Sequence, residues 1–154
     1  MVWSLRSELL QEEGTGMRDR FFGRMFFLAA LWNFVAGSGG LFFYETQFLL
    51  LFGEEAYTGD FHQALLFRAF AIAVLLFGAG YYLVSRDTTQ NRGIVWLGAA
   101  GKVAVFAFFT DAFLKDQATT IGWCVSIGDL LWALLFFWFL YQTRGEVRVS
   151  NLIG

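Results

Sequence analysis

The chain has 154 residues, of which 57% are hydrophobic, 20% aromatic and only 16% charged. Soluble domains usually carry about 25% charged residues, so a composition with 20 Phe in this length indicates a membrane protein of one domain. The net charge of −2 gives no basic footprint, so nucleic acid is not expected as a partner. The single cysteine, Cys124, excludes an internal disulfide and a thiolate metal cluster.

The N-terminal stretch SLRSELLQEE, residues 4–13, predicts a short amphipathic helix capped by Ser4, with apolar side chains available to rest on a membrane surface. A frayed tail is the alternative interpretation. Arg6 and Glu8 interrupt the apolar positions, and no small-residue cleavage site follows, so the stretch is not a secretory signal.

Four apolar segments follow, at residues 23–43, 64–84, 93–114 and 121–142. Each is long enough for a membrane span, which needs about 20 residues. The chain contains no proline, so the helices are expected to be straight. The sequence therefore predicts an all-α, four-helix transmembrane bundle in a single domain, residues 1–154.

Residues 44–63, between the first two spans, include the motif FLLLFG and predict an interfacial half-turn or short helix ended by Gly53. The same segment holds the only histidine, His62, together with Glu54, Glu55 and Asp60. One imidazole with carboxylates is a weak candidate for a surface metal site, and a solvated acidic loop is the favoured interpretation. No cofactor is identifiable from the sequence.

The basic residues outside the spans are distributed unevenly. On one side the connections and tails carry eight arginines: Arg6, Arg18, Arg20, Arg24, Arg86, Arg92, Arg144 and Arg148. On the other side the connections carry Lys115 alone, beside several acidic residues. Because positively charged connections stay in the cytoplasm, the pattern predicts that both termini are cytoplasmic and that the protein lies in a bacterial inner membrane.

Small residues recur at helical spacing in each span, where they let transmembrane helices approach closely. The candidate packing positions are Gly37, Gly40, Gly78, Gly98, Gly101, Gly122 and Ser126. The polar residues of the spans lie on the same stripes, so we expect them to face the interior.

Lys102 stands in the middle of the apolar run GIVWLGAAGKVAVFAFFTDAFL, where an unpaired charge costs roughly 3 kcal/mol. At a rise of 1.5 Å per residue, Asn33 and Lys102 lie about 15 and 14 Å above the cytoplasmic ends of their helices, and Asp129 about 20 Å. We therefore expect Lys102 to pair with Asp129, with Asn33 at the same level. The group is either structural or a ligand or ion site, and the structural interpretation is favoured.

A second ion pair is possible nearer the outer surface. Arg68 lies roughly 24 Å and Asp111 roughly 27 Å above the cytoplasmic ends, and Glu45 is a competing acceptor. However, nine residues separate Asp111 from Lys102, which turns it to the opposite face of the third helix. Asp111 facing the headgroups is the alternative.

Three motifs resemble a group of small bacterial four-span membrane proteins with no established activity: LLFGAGYYLVSRD at 75–87, WLGAAGK at 96–102 and GDLLWALLFF at 128–137. The resemblance covers about half of the chain and implies the same four-span fold. It also implies a shared core that contains Gly80, Tyr81, Arg86, Asp87, Lys102 and Asp129. It implies no reaction.

Three functions remain open at this point. The favoured one is a non-enzymatic accessory or assembly subunit of a larger membrane complex, or a homo-oligomer, in contact with lipids and a membrane-protein partner. The second is a protein or membrane enzyme that binds a lipophilic small molecule between its helices, oriented by Lys102, Asp129 and Asn33. The third is an ion or proton carrier, which needs a water path through the same layer.

Overall fold

The computed structural model describes the backbone of residues 2–144 and the side chains of residues 16–144. These residues form helices and no strand. The helices are α1 (Val2–Phe42), α2 (Tyr44–Phe52), α3 (Phe61–Arg86), α4 (Arg92–Leu114) and α5 (Thr120–Gln142). Residues 16–42 of α1 and the whole of α3, α4 and α5 are long and apolar enough to cross a membrane. The predicted all-α fold with four long apolar helices is confirmed.

The N-terminal segment differs from the expectation of a separate short helix, because it continues into the first span as one helix from Val2 to Phe42. Two glycines at positions 14 and 16 cost about 1 kcal/mol each in a helix interior, and the helix continues through both of them. The apolar side chains of residues 3–10, and the side chains of Arg6 and Arg148, lie outside the described residues.

The four long helices pack as two pairs. α1 packs along α3, and α4 packs along α5, whereas contacts between the pairs are fewer. We refer to α1 with α3 as the first hairpin and to α4 with α5 as the second hairpin. Gly37 illustrates why the first pair approaches closely, since a Cβ there would lie 2.9 Å from the carbonyl oxygen of Ala71.

Large aromatic side chains fill the wider space between the hairpins toward the Arg92 end of the second hairpin. Phe22 and Phe26 of α1 meet Phe136 and Phe139 of α5, and Tyr81 of α3 joins them. The ring centroids of Phe26 and Phe139 are 4.9 Å apart, as are those of Tyr81 and Phe136. We call these five residues the aromatic layer.

The other end of the bundle is closed by α2. The chain leaves α1 at Phe43, and α2 ends at Gly53, whose φ of 83° suits glycine; the predicted short helix ended by Gly53 is confirmed. The amide of Thr119, just before α5, donates to the carbonyl of Leu51 at 2.9 Å. α2 therefore ties the first hairpin to the start of α5.

Candidate functional site

Asn33, Lys102 and Asp129 meet between the hairpins, and we call them the polar layer. Lys102 Nζ lies 2.5 Å from Asp129 Oδ1 and 3.1 Å from Asn33 Oδ1. Asn33 Nδ2 in turn donates to the carbonyl of Val74 at 3.2 Å. The layer thus joins α1, α3, α4 and α5 through side-chain hydrogen bonds.

The layer is shielded from the surroundings. Lys102 is 7% exposed and Asn33 4% exposed, while the Asp129 side chain is 17% exposed. Gly78 of α3 lies against Asn33, since a Cβ on Gly78 would be 3.2 Å from the Asn33 Cβ. The absence of a side chain at Gly78 is what lets Asn33 reach the carbonyl of Val74.

An aromatic ring adds to the environment of the ammonium group. Lys102 Nζ lies 5.9 Å from the centre of the Tyr81 ring, a distance at which a cation and a ring attract each other. In the helix positions next to the layer, Trp32 packs against Gly128, where a Cβ would lie 2.9 Å from the Trp32 ring. Lys102 therefore has an anion, an amide oxygen and a ring as partners, which is a set that neutralises its charge.

Most predicted packing positions lie at helix contacts. Gly37, Gly40, Gly98 and Gly122 each face atoms of another helix so closely that a Cβ would collide, and a Cβ on Gly78 would lie 3.1 Å from the Phe34 ring. Ser126 is buried and donates its hydroxyl to the carbonyl of Trp123 at 2.7 Å.

The prediction that Gly101 faces the interior is wrong. Gly101 is exposed, and a Cβ there would meet no atom within 4 Å. Gly101 and Lys102 are neighbours in an α-helix, so their directions differ by about 100°. With Lys102 at the centre of the buried face, Gly101 turns outward.

The predicted second ion pair does not form. Asp111 Oδ2 lies 2.7 Å from Lys115 Nζ, one turn further along the chain, and both side chains are exposed. The guanidinium of Arg68 lies over the Tyr44 ring, 5.4 Å from its centre, and Glu45 makes no ion pair within residues 16–144. Asp111 faces away from the bundle because it lies opposite to Lys102 on α4, so Arg68 cannot reach it.

The acidic residues near His62 are separate rather than clustered. Asp60 caps α3 by accepting from the amide of Gln63 at 2.9 Å, and His62 packs edge-on against the Phe61 ring. Among residues 16–144 no group of three histidine, cysteine or acidic side chains is close enough to hold a metal ion. The weak candidate set of His62, Glu54, Glu55 and Asp60 is therefore not a site in this arrangement.

Arg92 is a structural residue that the sequence interpretation missed. Its guanidinium donates to the carbonyls of Leu140 at 3.0 Å and Thr143 at 3.1 Å, and also to the Thr143 hydroxyl. These acceptors lie at the end of α5, where unpaired carbonyls carry partial negative charge. The short connection between α4 and α5 makes them antiparallel neighbours, so the start of α4 lies beside the end of α5. The length of this connection is the feature of the sequence that could have predicted the contact.

An apolar cleft of about 400 Å³ lies between α1, α2 and α5. Its walls include Trp32, Val35, Leu50, Ile121 and Val125. The Trp32 ring of this cleft also packs against Gly128, the neighbour of Asp129 in the chain. The polar layer itself is not part of the cleft.

The fold and the buried polar layer define a helical, multi-pass membrane protein with four candidate spans. No family model, no curated protein and no solved structure matches the chain. The resemblance to small four-span bacterial proteins therefore stays a prediction.

Proposed function

We propose that the protein is a non-enzymatic accessory or assembly subunit of a bacterial inner membrane, with both termini in the cytoplasm, and that it associates through α4. The eight arginines on one side of the spans against Lys115 on the other support this orientation. Its partner is a helix of another membrane protein or of a second copy of this chain.

The closed polar layer supports a non-enzymatic role. Lys102 uses two of its three N–H donors on Asp129 and Asn33, and Asn33 uses its amide on Val74. Direct contacts between the three side chains leave little capacity to orient a substrate. A group of this kind fixes the rotation of four helices relative to one another, which is the best attested role of buried polar residues.

The observation that best supports the proposal is the outward face of α4. It is an exposed stripe that turns away from Lys102, flanked by the exposed Trp96 and Val103, in which five of eight residues are glycine or alanine: Gly93, Leu97, Ala100, Gly101, Ala104, Ala107, Phe108 and Asp111. Lipid gives no hydrophobic drive to bring helices together, so close packing through small residues is the usual basis of helix association. The two ends of the stripe are 18 positions apart, or about 27 Å, which is almost the whole hydrocarbon thickness.

Native mass spectrometry after extraction in a gentle detergent tests this proposal. We expect the wild-type protein to carry a stoichiometric companion protein or a second copy of itself. The double variant Gly101→Leu with Ala104→Leu places bulk on the stripe and should release that partner. The control Ala73→Leu changes an exposed alanine of α3 and should leave the assembly intact.

A lone protomer in the wild-type sample, or release of the partner by Ala73→Leu as readily as by the double variant, would contradict the proposal. A companion protein and a second copy are told apart directly by mass. The identity of a companion would name the complex that the subunit serves.

The apolar cleft favours a second candidate function, the binding of a lipophilic small molecule. Its occupant would lie against Trp32, Val35 and Val125, one turn from the polar layer. In the same experiment this function gives a fixed extra mass below the size of a protein. Val125→Trp should remove that mass by filling the cleft, whereas Val103→Trp, on the exposed side of α4, should retain it.

A further inference from the structure

Three arginines surround one cleft at the end of the first hairpin where α3 terminates. Arg20 and Arg24 of α1 and Arg86 of α3 line this cleft, which has a volume of about 500 Å³. At its floor the two helices approach closely, since a Cβ on Gly23 would lie 3.1 Å from the carbonyl oxygen of Ser85. The arginines therefore face one shared space and are not scattered over the surface.

The acidic residues at the cleft have other partners. Asp87 accepts from the amide and the hydroxyl of Thr89, at 2.9 and 2.6 Å, and these hydrogen bonds hold the pKa of its carboxyl below its usual value. Asp19 lies 3.9 Å from Arg18 Nε. Within residues 16–144, no ion pair joins Arg20, Arg24 or Arg86 to an acid, so the cleft offers three guanidinium groups to an anion.

The cleft lies at the depth of lipid headgroups. Arg20 and the last residue of α1, Phe42, are 22 positions apart, which corresponds to about 33 Å of helix. This is close to the hydrocarbon thickness of about 30 Å. Arg86 is the last residue of α3, so all three arginines lie near the boundary between hydrocarbon and water.

Exposed apolar side chains continue from the cleft toward the middle of the membrane. On α1, Phe27 and Leu31 share the helix face of Arg20, at 7 and 11 residues from it, and both are exposed. On α3, Tyr82 precedes Arg86 by one turn, is exposed, and pairs with Phe27 at 6.5 Å between ring centroids. The acyl chains of a phospholipid whose phosphate lies in the cleft would therefore lie along these side chains.

We propose that Arg20, Arg24 and Arg86 bind the phosphate headgroup of an anionic phospholipid, whose acyl chains lie on Phe27, Leu31 and Tyr82. Basic pockets between transmembrane helices on the cytoplasmic side bind anionic headgroups in this way. The cationic cleft alone would fit a free phosphate equally well, and the apolar continuation is what favours a lipid.

Lipid titration followed by native mass spectrometry tests the site. Phosphatidylglycerol and phosphatidylcholine are added separately to the protein in detergent, and the bound lipids are counted. The wild-type protein should bind phosphatidylglycerol more tightly than phosphatidylcholine. The triple variant Arg20→Gln, Arg24→Gln and Arg86→Gln should lose about fivefold in affinity for each arginine, or about a hundredfold in total.

A matched control removes the same charge elsewhere. The variant Arg68→Gln, Lys115→Gln and Arg144→Gln changes three exposed basic residues outside the cleft and should retain the preference for phosphatidylglycerol. An equal loss in this control, or no loss in the cleft variant, would overturn the proposal. Inorganic phosphate that displaces the lipid at matched concentration would also overturn it, in favour of a soluble anion.

Two further measurements do not depend on the triple variant, and the first uses the wild-type protein. Because the preference is electrostatic, it should shrink as sodium chloride is raised and the Debye length falls. Phe27→Ser should weaken phosphatidylglycerol binding and leave the binding of inorganic phosphate unchanged. A preference that is indifferent to salt would overturn the proposal even if the triple variant failed to fold.

Discussion

The two hairpins are held together at two levels that use opposite chemistry. The aromatic layer fills space with five rings that contact one another without hydrogen bonds between them. The polar layer uses one ammonium group, one carboxylate and one amide, joined by hydrogen bonds of 2.5 and 3.1 Å. Both layers bridge α1, α3 and α5, and only the polar layer contributes a side chain of α4.

The difference concerns specificity. The energy of ring contacts changes gradually when a helix rotates slightly or when side-chain volume is lost. A buried ion pair is satisfied by one arrangement only, and removing one partner leaves the other charged in an apolar medium. We infer that the aromatic layer supplies contact area between the hairpins, whereas the polar layer fixes which rotation of the helices is allowed.

The largest expected effect follows from removing one member of the ion pair. Asp129→Leu leaves Lys102 buried without its anion and should lower the free energy of unfolding by about 3 kcal/mol or more. Unfolding by dodecyl sulfate in mixed micelles, followed by circular dichroism, measures this loss.

The paired replacement Lys102→Met with Asp129→Leu separates the charge from the shape of the layer. Since a buried ion pair can often be replaced by apolar residues at little cost, the double variant should recover to within about 1 kcal/mol of the wild type. A double variant as unstable as Asp129→Leu alone would mean that the pair contributes stability beyond the neutralisation of Lys102.

The aromatic layer should respond less steeply. Phe26 is fully buried against Phe136 and Phe139, and Phe26→Ala should cost about 2 kcal/mol from lost packing and the cavity that remains. Transfer of the side chain to lipid adds little, because lipid is itself apolar.

Phe26→Leu should cost about half as much as Phe26→Ala, since part of the volume is retained. Phe27→Ala changes an exposed phenylalanine next in the chain and should be nearly neutral in the same assay. If Phe26→Leu cost as much as Phe26→Ala, the layer would depend on ring geometry and not on volume.

The polar layer was predictable from the sequence, and the reason is physical. Only a partner makes a lysine tolerable in the middle of an apolar run, and the fixed rise of a helix gives the depth of every candidate partner. The helical spacing of small residues likewise predicted positions at which helices touch, such as Gly37 and Gly78.

Features that depend on rotation or on helix ends were harder to predict. Gly101 shares the stripe of Lys102 in sequence, but only the structure shows which of the two neighbours takes the buried position. Arg68 and Asp111 lie at similar predicted depths in the membrane, but their side chains contact different partners, Tyr44 and Lys115. From the sequence, Arg92 supports only the predicted orientation in the membrane. Its acceptors are backbone carbonyls, which no pattern of side chains reveals.

The contact of Arg92 with the end of α5 ranks third in expected effect. It acts within the second hairpin and not between the hairpins. Arg92→Gln removes charged hydrogen bonds to two carbonyls, and since Arg92 is half-buried we expect a loss of about 1 kcal/mol. Arg86→Gln, which changes an exposed arginine without an ion pair in the described part of the chain, should be neutral in lipid-free detergent. Equal losses in the two variants would assign the effect to net charge.

The smallest effect is expected at the exposed start of α3, outside both layers. The Thr58 hydroxyl, 2.5 Å from Asp60 Oδ2, and the amide of Gln63 hold the pKa of the Asp60 carboxyl below its usual value. A carboxyl whose pKa is lowered by folding adds stability above its unfolded pKa, and that contribution is lost as the pH falls through the folded pKa.

Asp60→Asn keeps a capping side chain that does not titrate. The wild type should therefore melt slightly higher than this variant near neutral pH, and the difference should vanish in acid. Melting temperatures recorded over a pH series measure the effect. A difference that persists unchanged at low pH would mean that the shape of the cap, and not the charge of Asp60, stabilises the start of α3. Asp60→Asn should leave the stability contributed by the polar layer unchanged at every pH, because the two sites share no contact. The variant therefore gives the stability effect of a surface charge, with which the effect of the buried charge of Asp129 can be compared.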